Sequence, residues 1–246
     1  MKQEKSVCWA VVKPQLILFC RLLSKRDPLV IPITELIYIA YPDTIKTTLL
    51  KLLLAFYQPP KGDIRADDLS LTEIDTDDFR RQCGVVMQDA YIYNSSIAEN
   101  IALSDKEVDI ERVYHALKMS CLDEFVASLP LKHDTLLGSA GVDLSGGQKQ
   151  RLFIARAVYK DPAIIFLDEA TNSLDSNNER AIMENLEQFF IGRTVIVIAH
   201  RLSTVRRADK IVVLEKGEIV EVGNHEELTQ RSGQYYKLVK NQLELG

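Results

Sequence analysis

Hydrophobic and polar positions alternate in long blocks over the second half of the chain, and these blocks predict strands and helices in turn. Continuous apolar runs predict buried strands, and segments with one apolar face predict helices. The predicted strands are 163–170 and 193–200, the predicted helices are 147–162 and 176–190, and a hairpin over 210–223 precedes a helical tail over 225–243. Apolar strands that alternate with helices are typical of a mostly parallel α/β sheet covered on both faces.

The first half of the chain has a weaker pattern. Residues 1–35 show little periodicity, so we expect them to be poorly ordered or to form incompletely paired strands. The later segments predict strands at 35–40 and 83–88, a helix over 47–57 that ends at Pro59, Pro60 and Gly62, and helical structure from 97 to about 130.

Four residues stand at or just after the ends of predicted strands: Ala40, Gln88, Asp168 and His200. In parallel α/β sheets, ligands bind outside the carboxyl ends of the strands. The sequence therefore predicts a binding site at that edge of the sheet.

Composition narrows the function classes. The net charge of −5 gives no electrostatic argument for binding nucleic acid or an anionic membrane. Four cysteines without a C-x-x-C pair favour reduced core thiols over a zinc site or a disulfide framework. A membrane-spanning helix needs about 20 mostly apolar residues, and the apolar stretch over 7–23 is interrupted by Lys13, Pro14 and Arg21.

The segment AIIFLDEATNSLD delivers two carboxylates, Asp168 and Glu169, at the end of an apolar strand. An aspartate in this place can hold Mg²⁺ through its oxygens, and the next carboxylate can polarise a water molecule. A strand that ends in two solvated acids is an equally common explanation of the same pattern.

The segment LSGGQKQR places Ser145, Gly146, Gly147 and Gln148 at the start of a predicted helix. Glycines let backbone approach a ligand closely, and the N–H groups of a helix N-terminus attract anions. A serine that only caps the helix is the simpler alternative, but the complete octet is far more specific than a cap.

These segments, together with TVIVIAHRLSTVRRADKIVVLEKGEIVEVGNHEEL, resemble the nucleotide-binding domain of ABC transporters from about Thr47 to the C-terminus. MQDAYIYNSSIAENI and AHRLS resemble exporters, and bacterial peptide or bacteriocin exporters above all. The resemblance implies a P-loop ATPase fold of the ABC type over 1–246, with a helical subdomain inserted at about 89–158. It also implies ATP hydrolysis coupled to transmembrane export.

The resemblance assigns roles to individual residues of this sequence. Glu169 would be the catalytic base and His200 the histidine that contacts the γ-phosphate, and Ser145–Gln148 would cap the nucleotide of the opposite subunit. Mg²⁺ would be held by Thr47, Gln88 and Asp168. The implied ATP-binding residues are Lys46, Thr47, Thr48, Gln88, Ser145, Gly146, Gly147, Gln148, Asp168 and Asp175.

The resemblance further implies partners and a location. The expected partners are the transmembrane domain of an exporter and a second nucleotide-binding domain, identical or different, with no nucleic acid. The expected location is the cytoplasmic side of the cell membrane, where the chain would be held peripherally by its membrane-domain partner.

The P-loop departs from the pattern G-x-x-x-x-G-K-[ST]. Ala40 and Ile45 stand at its two glycines, Pro42 has no N–H to offer, and Asp43 would place a carboxylate against phosphate. Lys46 and Thr47 are retained. A strand–turn–helix capped by Asp43, which binds nothing, fits this stretch better than a phosphate cradle.

Two functions therefore stay open on the sequence alone. The leading interpretation is the ATP-hydrolysing component of an exporter. The alternative is a catalytically impaired partner or relic of the same fold that acts in dimerisation or regulation. Ser139 adds a milder departure, because exporters usually have a glutamate at this position that is implicated in coupling to the membrane domain.

Overall fold

Residues from both ends of the chain come together in one structural unit, and the middle of the chain forms a second. A computed structural model describes residues 8–11, 17–20, 36–40, 46–66, 69–87, 90–103, 107–168, 176–198, 206, 208–215 and 218–245. The first unit comprises Met1–Cys83 with Thr194–Gly246, and the second comprises Gly84–Arg193. The predicted insertion boundaries at 89 and 158 remain a prediction.

The first unit contains the main sheet strands and the helix that follows the P-loop position. Its N-terminal elements are β1 (Cys8–Val11), β2 (Ile17–Cys20), β3 (Leu36–Ala40), α1 (Lys46–Leu53), β4 (Arg65–Ala66), β5 (Leu69–Ser70) and α2 (Thr76–Arg81). Its C-terminal elements are β8 (Thr194–Ile198), β9 (Lys210–Glu215), β10 (Glu218–Gly223), α8 (His225–Gln230) and α9 (Gln234–Leu245).

Strand β3 lies between β8 and β9 and runs parallel to both, with Tyr38 opposite Val197 on one side and Ile211 on the other. Strand β10 pairs antiparallel with β9. The predicted strand at 35–40 and the predicted hairpin are thus confirmed. The prediction of a mostly parallel sheet is also confirmed, with the antiparallel hairpin at its edge.

The N-terminal region contains a separate pair of strands. Strands β1 and β2 run antiparallel, and Trp9 stands opposite Phe19 in their register. We predicted incompletely paired strands in 1–35, and the described part of this region consists of these two short strands, which pair with each other in a sheet of their own.

Helix α1 is shorter than predicted, because it ends at Leu53 rather than near Tyr57. Ala55 has a positive φ of 56°, its N–H donates to the carbonyl of Leu52, and the N–H of Phe56 donates to the carbonyl of Lys51. These bonds form a Schellman motif, in which a left-handed residue stops the helix before any proline is reached.

The helical tail forms two helices, not one. Helix α8 ends before Arg231, and Ser232 has a positive φ of 50° that breaks the helix. The carboxylate of Glu221, on β10, accepts the N–H of Tyr235 at 2.7 Å in the first turn of α9. The break therefore depends on a side chain from another element, which periodicity along the tail does not show.

The second unit is mainly helical. It contains β7 (Ile164–Asp168) beside β6 (Cys83–Val86, whose first residue belongs to the other unit) and the helices α3 (Ile97–Ala102), α4 (Ile110–Met119), α5 (Asp123–Ser128), α6 (Gly146–Lys160) and α7 (Ser176–Phe190). The predicted strands at 83–88 and 163–170 and the helices predicted across 97–130, 147–162 and 176–190 are confirmed, with small shifts at their ends.

Helix α6 forms the centre of this unit, with α3 and α4 packed against it. Leu152 and Ala155 are fully buried on α6, and Val113 and Leu117 are fully buried on α4. Ile110, at the first position of α4, is 37% exposed. Burial of a leucine or valine side chain stabilises the fold by roughly 1.5–3 kcal/mol, so these contacts hold α6 firmly in place.

Candidate functional site

The N-terminus of α6 is the best-defined part of the candidate site. Ser145 is its N-cap residue, with φ −61° and ψ 162°, and forms a capping box with Gln148. The N–H of Ser145 donates to Oε1 of Gln148 at 2.9 Å, and the N–H of Gln148 donates to Oγ of Ser145 at 3.3 Å. The serine therefore does cap the helix, as the simpler alternative proposed.

Capping leaves donors available at this end of the helix. Gly146 is exposed and Gly147 half-buried, and within the described part of the chain their backbone N–H groups have no acceptor. The hydroxyl of Ser145 accepts one hydrogen bond and keeps its own hydrogen to donate. Three donors thus lie at the positive end of a helix of fifteen residues, which is the chemistry that binds phosphate.

Charged side chains next to this helix end are paired with each other. Lys149 lies 3.0 Å from Asp143, and this lysine holds the pKa of the Asp143 carboxyl below its usual range. Arg151 donates to the carbonyl of Cys121 at 2.8 Å, which anchors α6 to the turn between α4 and α5. An approaching anion thus meets an acid whose charge is already balanced by a lysine.

Asp168 is the last residue of strand β7. Ile165, Phe166 and Leu167 are buried, whereas Asp168 is only partly buried. A partly exposed carboxylate at a strand end fits the predicted Mg²⁺ ligand, whose role stays a prediction.

The retained lysine and threonine of the P-loop position begin helix α1. Lys46, Thr47 and Thr48 are its first three residues, and Thr48 is half-buried. The predicted roles of the others lie outside the described residues: this holds for 41–45, Gln88, Glu169, Asp175 and His200.

Sequence reasoning missed a cluster of hydrogen bonds around Arg156, a half-buried residue of α6. Its guanidinium donates from Nε to the carbonyl of Asn100 at 2.6 Å, from Nη2 to Oδ1 of Asn100 at 2.9 Å and from Nη1 to the carbonyl of Tyr91 at 2.7 Å. Burial lowers the pKa of Arg156 to about 10, so it remains charged at neutral pH. The sequence did contain a sign of this cluster. Arg156 lies three residues after Phe153 and four after Leu152, which places a charged residue on the buried face of α6.

Ser139, the second departure from the exporter pattern, lies in the loop that leads to the helix. It is exposed, and its N–H donates to Oδ1 of Asn94 at 3.1 Å. Gly138 beside it has a positive φ of 83°, and a Cβ there would lie 2.1 Å from Oδ1 of Asn94. The loop therefore requires glycine at 138 for reasons of both backbone and space.

No helix within the described residues combines the length and apolar character that crossing a bilayer requires. Likewise, the described residues contain no group of three or more His, Cys, Asp and Glu side chains that could hold a metal ion.

Comparison with known proteins gives a consistent result. The family model described as "ABC transporter" matches residues 46–172. The Leukotoxin translocation ATP-binding protein LktB of Mannheimia haemolytica is 49% identical over 200 residues, which cover 81% of this chain and 28% of LktB. LktB of Bibersteinia trehalosi matches to the same extent. The chain therefore spans less than a third of the length of these relatives.

A solved structure shares the fold. The structure of a bacterial Atm1-family ABC exporter with ATP bound has a TM-score of 0.80 and 36% sequence identity, over 85% of this chain and 37% of that one. The ABC-type ATPase fold expected from the motifs is thereby confirmed.

Proposed function

The chain belongs to the ABC transporter family, and we propose that it is the ATP-binding component of an exporter that couples ATP hydrolysis to transmembrane export. The relatives that support this are an exporter with ATP bound and a translocation ATP-binding protein. The single observation that carries the proposal is the start of α6, where Ser145 keeps a hydroxyl donor next to the N–H groups of two accessible glycines.

The residues at the candidate site have the chemistry needed to bind a nucleotide together with its metal ion. The start of α6 offers hydrogen-bond donors and a helix dipole to a phosphate group, and Asp168 offers a partly exposed carboxylate to Mg²⁺. Bound Mg-ATP would supply the phosphoanhydride bond whose hydrolysis drives transport. In this proposal Asp168, Thr47 and Gln88 would hold the metal, Glu169 would accept a proton from the attacking water, and His200 would contact the γ-phosphate.

The proposed partners follow from the same family. A second nucleotide-binding domain would receive Ser145–Gln148 over its own nucleotide, and a transmembrane domain of an exporter would hold the chain on the cytoplasmic side of the membrane. No nucleic acid is expected, because the net charge of −5 disfavours it.

We further propose that the two halves of the site in this chain are unequal. Ser145–Gln148 retains its complete motif and capping geometry. In the P-loop, by contrast, Pro42 has no N–H to offer phosphate, Asp43 adds a carboxylate, and Ile45 disfavours the positive φ that glycine tolerates. A purely structural relic would have no need for the intact serine and glycines. The chain would therefore serve best as the subunit that completes its partner's site.

The test is phosphate release from mixed dimers in which the second subunit is this chain with glycine at positions 40, 43 and 45. Ser145→Arg in the unrestored subunit should abolish activity, because the long side chain blocks the start of α6. Glu169→Gln in the same subunit should have little effect, because Glu169 serves the defective P-loop. Equal damage by both variants would contradict the unequal sites, and no activity in any dimer would contradict the ATPase itself.

A further inference from the structure

A closed ring of hydrogen bonds and chain segments connects Arg156, in the last turns of α6, with Ser145, the N-cap residue of the same helix. The ring passes from α6 through Arg156 to the segment 91–96, then to the loop 135–142, and along that loop back to Ser145. All its members belong to the second structural unit. Each link is a direct hydrogen bond or a short stretch of chain.

The first link is a half-buried cation that is held by neutral oxygens alone. Arg156 binds two carbonyl oxygens and one side-chain amide oxygen, and no described carboxylate pairs with it. Its guanidinium also lies 5.1 Å from the centre of the Phe153 ring. Removing even part of a charge from water without a counter-ion costs free energy that an apolar residue would avoid, so stability alone is a poor reason for this arginine.

The second link is Asn100, which is fully buried and folds the segment 91–96 around itself. Its Oδ1 accepts the N–H of Tyr93 at 2.9 Å in addition to Arg156. The two hydrogens of its Nδ2 are shared among the carbonyls of Tyr93, Ser95 and Ser96, at 3.0, 3.2 and 3.0 Å. The amide thus fixes the backbone of the segment at three of its residues, 93, 95 and 96.

The third link joins that segment to the loop before α6. The N–H of Leu137 donates to the carbonyl of Ser95 at 2.9 Å, and the N–H of Ser139 donates to Oδ1 of Asn94 at 3.1 Å. The loop is closed on itself by a 2.9 Å bond from the N–H of Val142 to the carbonyl of Leu136. Three residues later the chain reaches Ser145.

We propose that Arg156 is a positioning residue that locks the segment 91–96 to α6, so that this segment and Ser145 move as one body. Arginine is required because its planar fork reaches Tyr91 and both oxygens of Asn100 together, which the single ammonium of lysine does not. The inference rests on the proposed function in one respect, since Ser145 must be the end of α6 that contacts nucleotide.

The test is hydrogen exchange in the full-length chain without nucleotide, so its outcome does not depend on whether ATP is hydrolysed. In Arg156→Lys, the amides of Tyr93 and Ser145 should both exchange faster, by about tenfold, because one or more hydrogen bonds of the ring are lost. The amide of Phe166 in β7 should be unchanged. The matched control is Arg112→Lys. Arg112 likewise donates to a backbone carbonyl and stacks on an aromatic side chain, in both cases that of Tyr159, but it takes no part in the bonds that connect Arg156 with Ser145.

Two results would overturn the proposal. Faster exchange at Tyr93 with none at Ser145 would show that the two ends are not coupled, and equal acceleration at Phe166 would show a merely structural role. If Arg156→Lys does not fold, Asn94→Ala tests the same ring from its exposed side. In that variant Ser139 and Ser145 should exchange faster together, and acceleration of Ser139 alone would refute the coupling.

Discussion

Ser145 and Gln148 bind each other twice, because each backbone N–H donates to the other's side-chain oxygen. This reciprocal pair satisfies one N–H of the first turn of α6 and leaves the serine hydroxyl hydrogen unused. Helix capping needs only an acceptor oxygen at this position, whereas phosphate binding needs a donor. The two roles of Ser145 can therefore be separated by substitution.

Ser145→Asp should keep the cap and lose the nucleotide. The aspartate oxygen still accepts the N–H of Gln148, so the free energy of unfolding in urea should change by less than about 0.5 kcal/mol. A carboxylate repels phosphate and donates nothing, so phosphate release by the mixed dimers should fall by at least about 100-fold. Ser145→Ala should do the reverse, with about 1 kcal/mol less stability and partial activity. Full activity of Ser145→Asp would exclude a phosphate contact at this position.

The substituted P-loop should make ATP binding by the isolated chain weak. Each charge-assisted N–H bond to phosphate contributes roughly 1.5–3 kcal/mol, and several are lost with Pro42, Asp43 and Ile45. Glycine at Ala40, Asp43 and Ile45 together should raise the affinity for Mg-ATP by at least about 100-fold in calorimetry. Micromolar binding by the unaltered chain would contradict the prediction, and no gain from the glycines would place the defect upstream, in residues 1–35.

The elements that could be predicted from sequence are those whose pattern is complete within themselves. Helix α7 begins and ends at the predicted residues Ser176 and Phe190, and β7 coincides with an uninterrupted apolar run. The start of α6 was predictable because Ser145 and Gln148 lie three residues apart and form a local capping box. In each case the deciding interactions lie within a few residues of one another.

The features that escaped prediction depend on residues far apart in the chain. Arg156 binds the carbonyl of Tyr91, which lies 65 positions earlier in the chain. Its position on the apolar face of α6 indicates that it needs hydrogen-bond partners, but does not identify them. The break between α8 and α9 depends on Glu221, a residue of β10 that lies 14 positions before the N–H it accepts. Periodicity reports burial, and it carries no information on which distant oxygen will meet a buried donor.

Stability at high pH should depend on Tyr235. This side chain is 1% exposed, its hydroxyl lies 2.7 Å from Nδ1 of His225, and burial raises its pKa to about 12. A tyrosine in the unfolded chain titrates near pH 10, at about its ordinary pKa. The folded state therefore keeps the proton longer, and this stabilisation is complete below pH 10 and is lost as pH rises towards 12.

The measurement is urea unfolding of wild type and Tyr235→Phe between pH 9 and 12. At pH 9 the free energy of unfolding of the variant should be about 1 kcal/mol below that of wild type, because the variant lacks the hydrogen bond to His225. Above pH 10 the free energy of unfolding should fall less steeply with pH in the variant than in wild type. The two slopes should differ by up to about 1.4 kcal/mol per pH unit, since the variant lacks one titrating group. Tyr236→Phe is the control, because Tyr236 is 38% exposed and its loss should leave the slope unchanged. Parallel curves for wild type and Tyr235→Phe would refute the assignment.

Ala55 should be a site where glycine stabilises the chain. Its φ of 56° lies in the left-handed region, which costs an L-residue with a Cβ about 1–2 kcal/mol, and it occupies the position that glycine usually takes in a Schellman motif. Ala55→Gly removes this strain but adds chain entropy to the unfolded state, so the expected net gain is about 0.5–1 kcal/mol in urea unfolding. The matched control is Ala127→Gly, an exposed position inside α5. There glycine should destabilise by about 1 kcal/mol, because the backbone already has ordinary helical angles. If both variants lose stability equally, the strain at Ala55 is not what limits the end of α1.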